Sequence, residues 1–433
     1  MLRAAGLNLI CGCVAALCFA TPSWSDSPDG GAETPAPDVV KPSAPAPNLP
    51  ERHWYEALPF LPVPEIAQDP DSGTTVGILP VWLVTDENQR IRRIIAPDVL
   101  YNPNFGYGFH GRIYDYPSED KQWSLEAGAK ERVEREFDGE YTLGRLREGN
   151  WSFTGSVIYD VNGSPRFFGI GNNTPQRDET NFTNRQGLLQ AQLGYNFTHA
   201  WQLLFTARLR AVDILPGTLD KIASIEERYP HVRGLGTNFE QLNRLSIVYD
   251  TRDNFTAPRE GMTWVLYGGV ASRGGILNNS LYSEAGMDGR VFWPINPQTV
   301  LASHVSLRYL PSTTRLPFWA LSSLGGGESI VGGEQPLRGF GEGRFYDRNS
   351  FSATVEYRRR AFEFDAISHV EIEVTPFVDV GNVFHDSTFP IRGLHKVGGV
   401  GFRAIARPSV VGYVDVGYGS DGAAVFTGIN YPF

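Results

Sequence analysis

Cysteine is nearly absent. The three in the chain, Cys11, Cys13 and Cys18, all fall near its start. Beyond them there is no thiol for a disulfide, a metal thiolate or a cysteine nucleophile. Gly12-Cys13 fits an acylation site only loosely, because the apolar run before it is too short. Long apolar runs are missing too: none reaches the ~18 consecutive residues of a transmembrane helix. An excess of positive charge is also lacking. Lys and Arg number 38 against 48 Asp and Glu, a formal net charge of −10, which removes the basic face that a nucleic-acid partner needs. There is no phosphate-binding loop and no HExxH pattern, and Gly327-Glu328-Ser329-Ile330-Val331 lacks the last glycine of a nucleophile elbow. The expectation is a protein without cofactor or metal, and not an enzyme.

What is present begins with an export signal. Met1-Leu2-Arg3 carries a positive charge, Leu7 to Ala20 is apolar, and Ser23 and Ser25 are small. That layout is a secretory signal peptide, residues 1–25, cut after about Ser25. Residues 26–67 are rich in Pro and Ala, as in Thr34-Pro35-Ala36-Pro37 and Ser43-Ala44-Pro45-Ala46-Pro47. Such a stretch favours an extended chain and cannot bury a core, so it reads as a disordered periplasmic tail or linker. Trp54, Tyr55, Leu58, Phe60 and Leu61 make its end more apolar, suited to tucking against or into a barrel.

From Gly73 onward, segments of about ten residues alternate apolar and polar between Gly, Pro, Asn and Asp, the dyad pattern of a membrane barrel with one face in lipid and one on a polar lumen. In Phe351–Arg360, Phe351, Ala353, Val355 and Tyr357 oppose Ser352, Thr354, Glu356, Arg358 and Arg360. In Val370–Gly381, Val370, Ile372, Val374, Val378 and Val380 oppose Glu371, Glu373, Thr375, Phe377, Asp379 and Gly381. Val400–Arg407 and Val410–Tyr418 repeat the pattern, with Arg403, Tyr413, Asp415 and Gly417 on the polar side. A soluble β-sandwich also alternates, but the export signal and the chain end favour a barrel. His369, Glu371 and Glu373 share a face and read as lumen lining rather than a metal site.

Counted back from the end, Phe433, Tyr431, Ile429, Thr427 and Val425 alternate. A terminal aromatic on such a strand resembles the signal by which outer-membrane barrels reach their assembly machinery. Long connections at about Val161–Asn184, Ile214–Gln241 and Pro311–Asn349 belong outside the cell, and short ones such as Thr251–Gly261 belong in the periplasm. Parity then gives an all-β fold: a 16-stranded antiparallel transmembrane barrel over residues 68–433, in the outer membrane, in contact with phospholipid and lipopolysaccharide.

The long loop 311–349 contains Gly332-Gly333-Glu334-Gln335-Pro336-Leu337-Arg338-Gly339-Phe340. After it come Val355-Glu356-Tyr357-Arg358, Phe377-Val378-Asp379-Val380-Gly381 and Gly399-Val400-Gly401-Phe402-Arg403. Tyr249-Asp250-Thr251-Arg252-Asp253-Asn254 precedes it, with Pro258 and Gly261. This ordered series, from about Gly73 to Phe433, resembles the barrel of the BamA/TamA outer-membrane assembly family, the bacterial surface antigen family, whose superfamily includes two-partner secretion transporters.

The resemblance implies that Arg338, Gly339 and Phe340 form a loop tip folded into the lumen. Arg338 would dock on Asp379, with Glu356 as a second partner, and alternation independently places both carboxylates on the lumen face. A guanidinium there needs carboxylate partners, which its planar fork can engage in pairs. Gly339 would allow close approach or positive φ, and Gly381 would leave room on the wall. Parity places Asp250, Arg252 and Asp253 at a short periplasmic turn, and the resemblance implies that this turn is structural. Pro80 and Pro432, read in the first and last strands, suggest a closing seam short of hydrogen bonds, since proline removes a ladder donor.

Assembly and secretion members of the family carry substrate-receiving POTRA modules. Residues 26–67 cannot form one, so that part is expected to be missing or supplied by a periplasmic partner. The implied function is insertion or translocation of client polypeptides, or of lipids. The alternative is a passive channel or surface antigen.

Overall fold

In a computed structural model, the structure describes residues 61–87, 91–273, 280–311, 316–365, 369–386, 393–406, 410–429 and 431–433. The signal segment and nearly all of the Pro-rich segment lie outside the described residues. Among the described residues no helix is long and apolar enough to cross a membrane.

The described chain is one large antiparallel sheet that meets itself. Its first half runs as β1 (Leu61–Asp69), β2 (Gly73–Thr85), β3 (Ile91–Ile95 continued by Asp98–Asn102), β4 (Gly106–Ser118), β5 (Lys121–Lys130), β6 (Arg135–Leu143), β7 (Trp151–Asn162), β8 (Thr180–Asn196) and β9 (Trp201–Pro216). Its second half runs as β10 (Gly236–Asp250), β11 (Gly261–Ser272), β12 (Ser280–Asn296), β13 (Thr299–Tyr309), β14 (Asn349–Asp365), β15 (His369–Phe384), β16 (His395–Ala406), β17 (Val410–Gly419) and β18 (Gly422–Ile429).

These are eighteen strands among the described residues, where parity gives sixteen. One extra strand is β1, whose prolines make it read as part of the tail, so the sheet starts before residue 68. The other lies within 91–146, which holds four strands, β3 to β6. Two added strands keep parity unchanged, so the long connections 163–179, 217–235 and 310–348 still share one end.

Prolines explain two local features. Pro62 faces Pro80 in the β1–β2 register. Neither has an N–H, so they can only form a non-hydrogen-bonded pair, and their nitrogens point away from each other. Pro62 and Pro64 therefore remove donors on the side of β1 that meets β18, where, among the described residues, a single pair, Gln68↔Val425, joins the two strands. The expected seam prolines, Pro80 and Pro432, are not those: Pro80 lies in the second strand and Pro432 beyond the last. Pro80 instead faces the break in β3, where pairing skips from Ile78↔Val99 to Trp82↔Ile95 beside Pro97.

The alternation sorts side chains as period 2 requires. Leu189, Leu193, Leu209, Leu245, Ile247, Leu266, Val355 and Val378 are exposed on the outer face. Aromatic side chains gather near one rim, where Trp151 meets Tyr195 at 5.0 Å and Trp201 meets Tyr249 at 4.7 Å, as in the girdles of membrane barrels. The lumen-facing Ser352, Thr354, Glu356, Arg358, Thr375 and Asp379 are buried, because the long loop lies against them. That loop carries a short three-stranded sheet, Ser322–Leu324, Glu334–Gln335 and Phe345–Asp347. Phe318 and Leu321 of the loop pack with Phe167, Phe182, Val212, Ile214 and Ile225, so the other long connections cover it.

Candidate functional site

The loop tip is anchored by one guanidinium. Arg338 is 0 % exposed. Its Nε and Nη2 donate to the two oxygens of Asp379 at 3.0 and 2.7 Å, and its backbone N–H adds a third bond to Asp379 at 3.0 Å. Its Nη1 donates to Glu356 at 2.5 Å and to Asp415 at 2.8 Å. The guanidinium also lies 3.5 Å from the centre of the Phe377 ring, adding a cation–π contact. Burial pulls the Arg338 pKa down, but Asp379, Glu356 and Asp415 more than reverse this and hold it above the ordinary arginine value.

Three carboxylates around one arginine would be a costly excess of buried negative charge. Two further arginines balance it. Arg358 donates from Nε to Glu356 at 2.8 Å, and Arg403 donates to both oxygens of Asp415. The result is a neutral cluster spread over β14, β15, β16 and β17 plus the loop. Alternation places Asp415 and Arg403 on the lumen face without giving them this role. The signal is present in the inward Tyr413, Asp415 and Gly417, but nothing local says which inward carboxylate meets the tip.

The tip's glycine sits where it must. A Cβ on Gly339 would lie 2.6 Å from the backbone nitrogen of Gly419. Close approach explains this residue; positive φ does not, since Gly339 is not among the left-handed glycines. Phe340 is buried with Leu324, Leu337, Phe345, Phe377, Val383 and Val397. Gly381 makes room for Leu324 of the loop, whose Cδ2 would be 3.0 Å from an added Cβ. A second set of contacts has no counterpart in the sequence motifs. Glu284 binds Arg244 and Arg308, and these hold loop carbonyls of Val331 and Leu321 at 2.9 and 3.1 Å.

Asp250, Arg252 and Asp253 are not part of this cluster, although Ala257 of the same turn packs with Ile405 and Tyr431. Arg252 forks onto Asp250 at 3.0 and 2.7 Å, and Asp253 caps the backbone N–H groups of Arg259 and Glu260. The chain end departs from expectation. Among the described residues the β18 ladder runs to Ile429, opposite Gly412, and Tyr431 and Phe433 lie outside the strand. Phe433 packs with Phe292, Val300 and Ala302 on the lumen side.

Glu334 of the loop accepts from the backbone N–H of Gly343. Burial first, then the neighbouring Glu342 carboxylate, hold its pKa well above the usual carboxylate range, and Asp71 adds to this. Docking the loop therefore takes up a proton. Docking is tightest in acid and weakens as pH rises from the ordinary carboxylate range through the raised value. Protease nicking of residues 316–348 should increase across that range, and Glu334→Gln should flatten the profile. A flat profile in the parent chain would remove Glu334 from loop docking.

Residues 121–401, well over half of the chain, match the Omp85 superfamily domain. No curated protein matches the sequence. Among solved structures, BamA from Haemophilus ducreyi lacking POTRA domains 1–3 is similar at 14% identity, over 81% of this chain and 75% of that one, with a TM-score of 0.49. CdiB from Escherichia coli is similar at 12% identity, over 86% and 67%, with a TM-score of 0.41. CdiB from Acinetobacter baumannii is similar at 11% identity, over 86% and 59%, with a TM-score of 0.43.

Proposed function

The chain belongs to the Omp85 superfamily of outer-membrane barrels, and on that premise we propose that it inserts or translocates polypeptides, or lipids, with a partner that presents them. The seam carries this reading. Among the described residues, every other neighbouring pair of full strands is laced by a run of paired residues, whereas β1 and β18 share one pair. Opening that junction costs little backbone hydrogen bonding and gives a lateral exit from lumen to membrane. The docked loop supplies a rigid inner wall beside β14–β17. Export through the signal segment 1–25 and delivery by the barrel assembly machinery belong to the same proposal. No catalytic step is assigned to Glu356, Asp379 and Asp415, which are engaged by arginines.

One observation favours the passive-channel reading. The loop lies against β14–β17, while Glu126, Asp138, Glu140 and Asp160 on β5–β7 remain partly exposed, so that side of the lumen keeps a polar, wettable wall. Quantitative outer-membrane proteomics after depletion separates the two. Loss of many barrels, or of one exported client, is expected, together with failure of the Arg338→Ala chain to restore it. An unchanged proteome sinks the transport reading and turns the question to single-channel conductance.

A further inference from the structure

Three arginines gather at the end of the barrel opposite the long connections. They sit on or beside two turns, residues 144–150 between β6 and β7 and residues 251–260 between β10 and β11. The second turn reaches inward. Its Thr256 accepts from Arg145 Nη2 at 2.9 Å on one side, and its Ala257 packs on Ile405 of β16 on the other. By parity this end is the periplasmic mouth of the lumen.

The gathering is short of negative charge. Arg252 forks onto Asp250, and Arg147 Nη2 stands 3.7 Å from the same carboxylate. The side-chain hydrogen bonds of Arg145 go to neutral oxygens, those of Gln122 and Thr256. The Arg147 side chain is 10 % exposed, yet its Nη1 has no hydrogen-bond partner. Asp120 and Asp253 accept from backbone N–H groups, those of Leu146, Arg259 and Glu260. Arg145 and Arg252 also share one ring, lying 5.7 and 5.3 Å from the centre of Phe255. Their like charges oppose each other. Burial first, and then Arg252, pull the Arg145 pKa below the ordinary arginine value, with Tyr116 and Glu140 acting against them. Burial first lowers that of Arg147 too, with Asp250 opposing and Arg252 adding. At the loop tip three arginines meet three carboxylates; here three lean on one.

Arg147 is also held in an unfavourable backbone conformation. Its φ is +57°, in the left-handed region that a long side chain rarely adopts. Such strain persists where the surrounding fold imposes it, and ligand clamps are one such place. A strained backbone and an unpaired, largely buried nitrogen at one residue are both unfavourable in a turn that only joins two strands. An anion held between the arginines accounts for both.

We propose that Arg145, Arg147 and Arg252 form a binding site for a phosphate group at the periplasmic mouth of the barrel. A phosphate monoester brings about two negative charges and three strong acceptor oxygens. It therefore suits guanidiniums that arrive from two turns, each offering a planar fork. A carboxylate brings one charge and two oxygens. The bound group ties turn 251–260 to turn 144–150 and holds the inward turn across the mouth. The site stands whether or not the barrel moves polypeptides.

The test is calorimetric titration of inorganic phosphate into the full chain purified in detergent. The parent chain should bind one phosphate. Arg147→Gln should weaken binding by about tenfold or more, the size of a lost charge-assisted hydrogen bond, and Arg147→Lys should fall between the two. Arg259→Gln, which removes a charge from the same turn outside the site, should bind as the parent does. No binding by the parent, parental affinity in Arg147→Gln, or an equal loss in Arg259→Gln overturns the proposal. Acetate bound as tightly as phosphate overturns the choice of ligand. If Arg147→Gln does not fold, trypsin reads the parent chain directly: phosphate should slow cleavage after Arg145 and Arg147, and unchanged cleavage at saturating phosphate overturns the site. Dihexanoyl phosphatidic acid separates the sources. Tighter binding than inorganic phosphate assigns the site to a lipid headgroup; equal or weaker binding assigns it to the free anion.

Discussion

Replacing Arg338 by alanine should release the long loop from the lumen. The change leaves Asp379 with none of its side-chain partners from the loop, and strands Glu356 and Asp415 with Arg358 and Arg403 only. Removing one partner from a buried charge cluster costs about 3–5 kcal/mol, so docking should weaken by roughly two to four powers of ten. The effect can be read as tryptic cleavage after Arg344 or Arg348, which docking protects. Arg338→Lys keeps the charge but cannot fork across Asp379 and reach Glu356 and Asp415 together, so it should recover only part of the protection. Asp379→Asn in the Arg338→Ala background should be less damaging than in the parent, because it removes the carboxylate that has lost its partner. Cleavage of Arg338→Ala at the parental rate would show that the cluster does not hold the loop.

That prediction draws on residues of unequal legibility. Arg338, Glu356 and Asp379 can be named from the sequence because a family resemblance and an alternation of period 2 point to the same positions. Alternation alone carries direction, since it tells which side chains enter the lumen. It does not carry register across strands, and register decides which of the inward carboxylates share a height with the loop tip. Asp415 escapes the sequence for that reason: Gly401↔Asp415 and Asp379↔Val397 become visible only when β15, β16 and β17 are laid side by side. The strand count fails where prolines interrupt pairing. Pro62 and Pro64 read as a linker because proline is disfavoured inside a sheet, yet β1 lies at the one junction where missing donors go unclaimed. The end of the chain misleads in the opposite way. Its alternation is real through Ile429, but Tyr431 and Phe433 find partners in His304, Arg358 and Glu373, and no local pattern announces a contact across the lumen.

Gly417→Ala should undo docking without touching a charge. Gly417 is on β17 beside the loop backbone, and a Cβ there would fall 1.8 Å from the Arg338 carbonyl oxygen and 2.6 Å from its carbon. Those atoms are backbone and cannot turn aside as a side chain would, so either the strand or the loop tip has to move. Movement of even an ångström would break the three bonds that Asp379 makes to the Arg338 backbone and side chain. Overpacking typically costs about 1–3 kcal/mol, and a clash between two backbones belongs at the upper end, about 3 kcal/mol. Gly412→Ala on the same strand is the control, because its added Cβ would meet nothing within 4 Å. It shares any effect of exchanging glycine for alanine in a strand and lacks the clash. Protection of the loop should therefore fall sharply in Gly417→Ala and stay parental in Gly412→Ala. Equal protection in both would mean that the tip rides clear of β17, and that Arg338 reaches its carboxylates from a distance at which the wall's glycines do not matter.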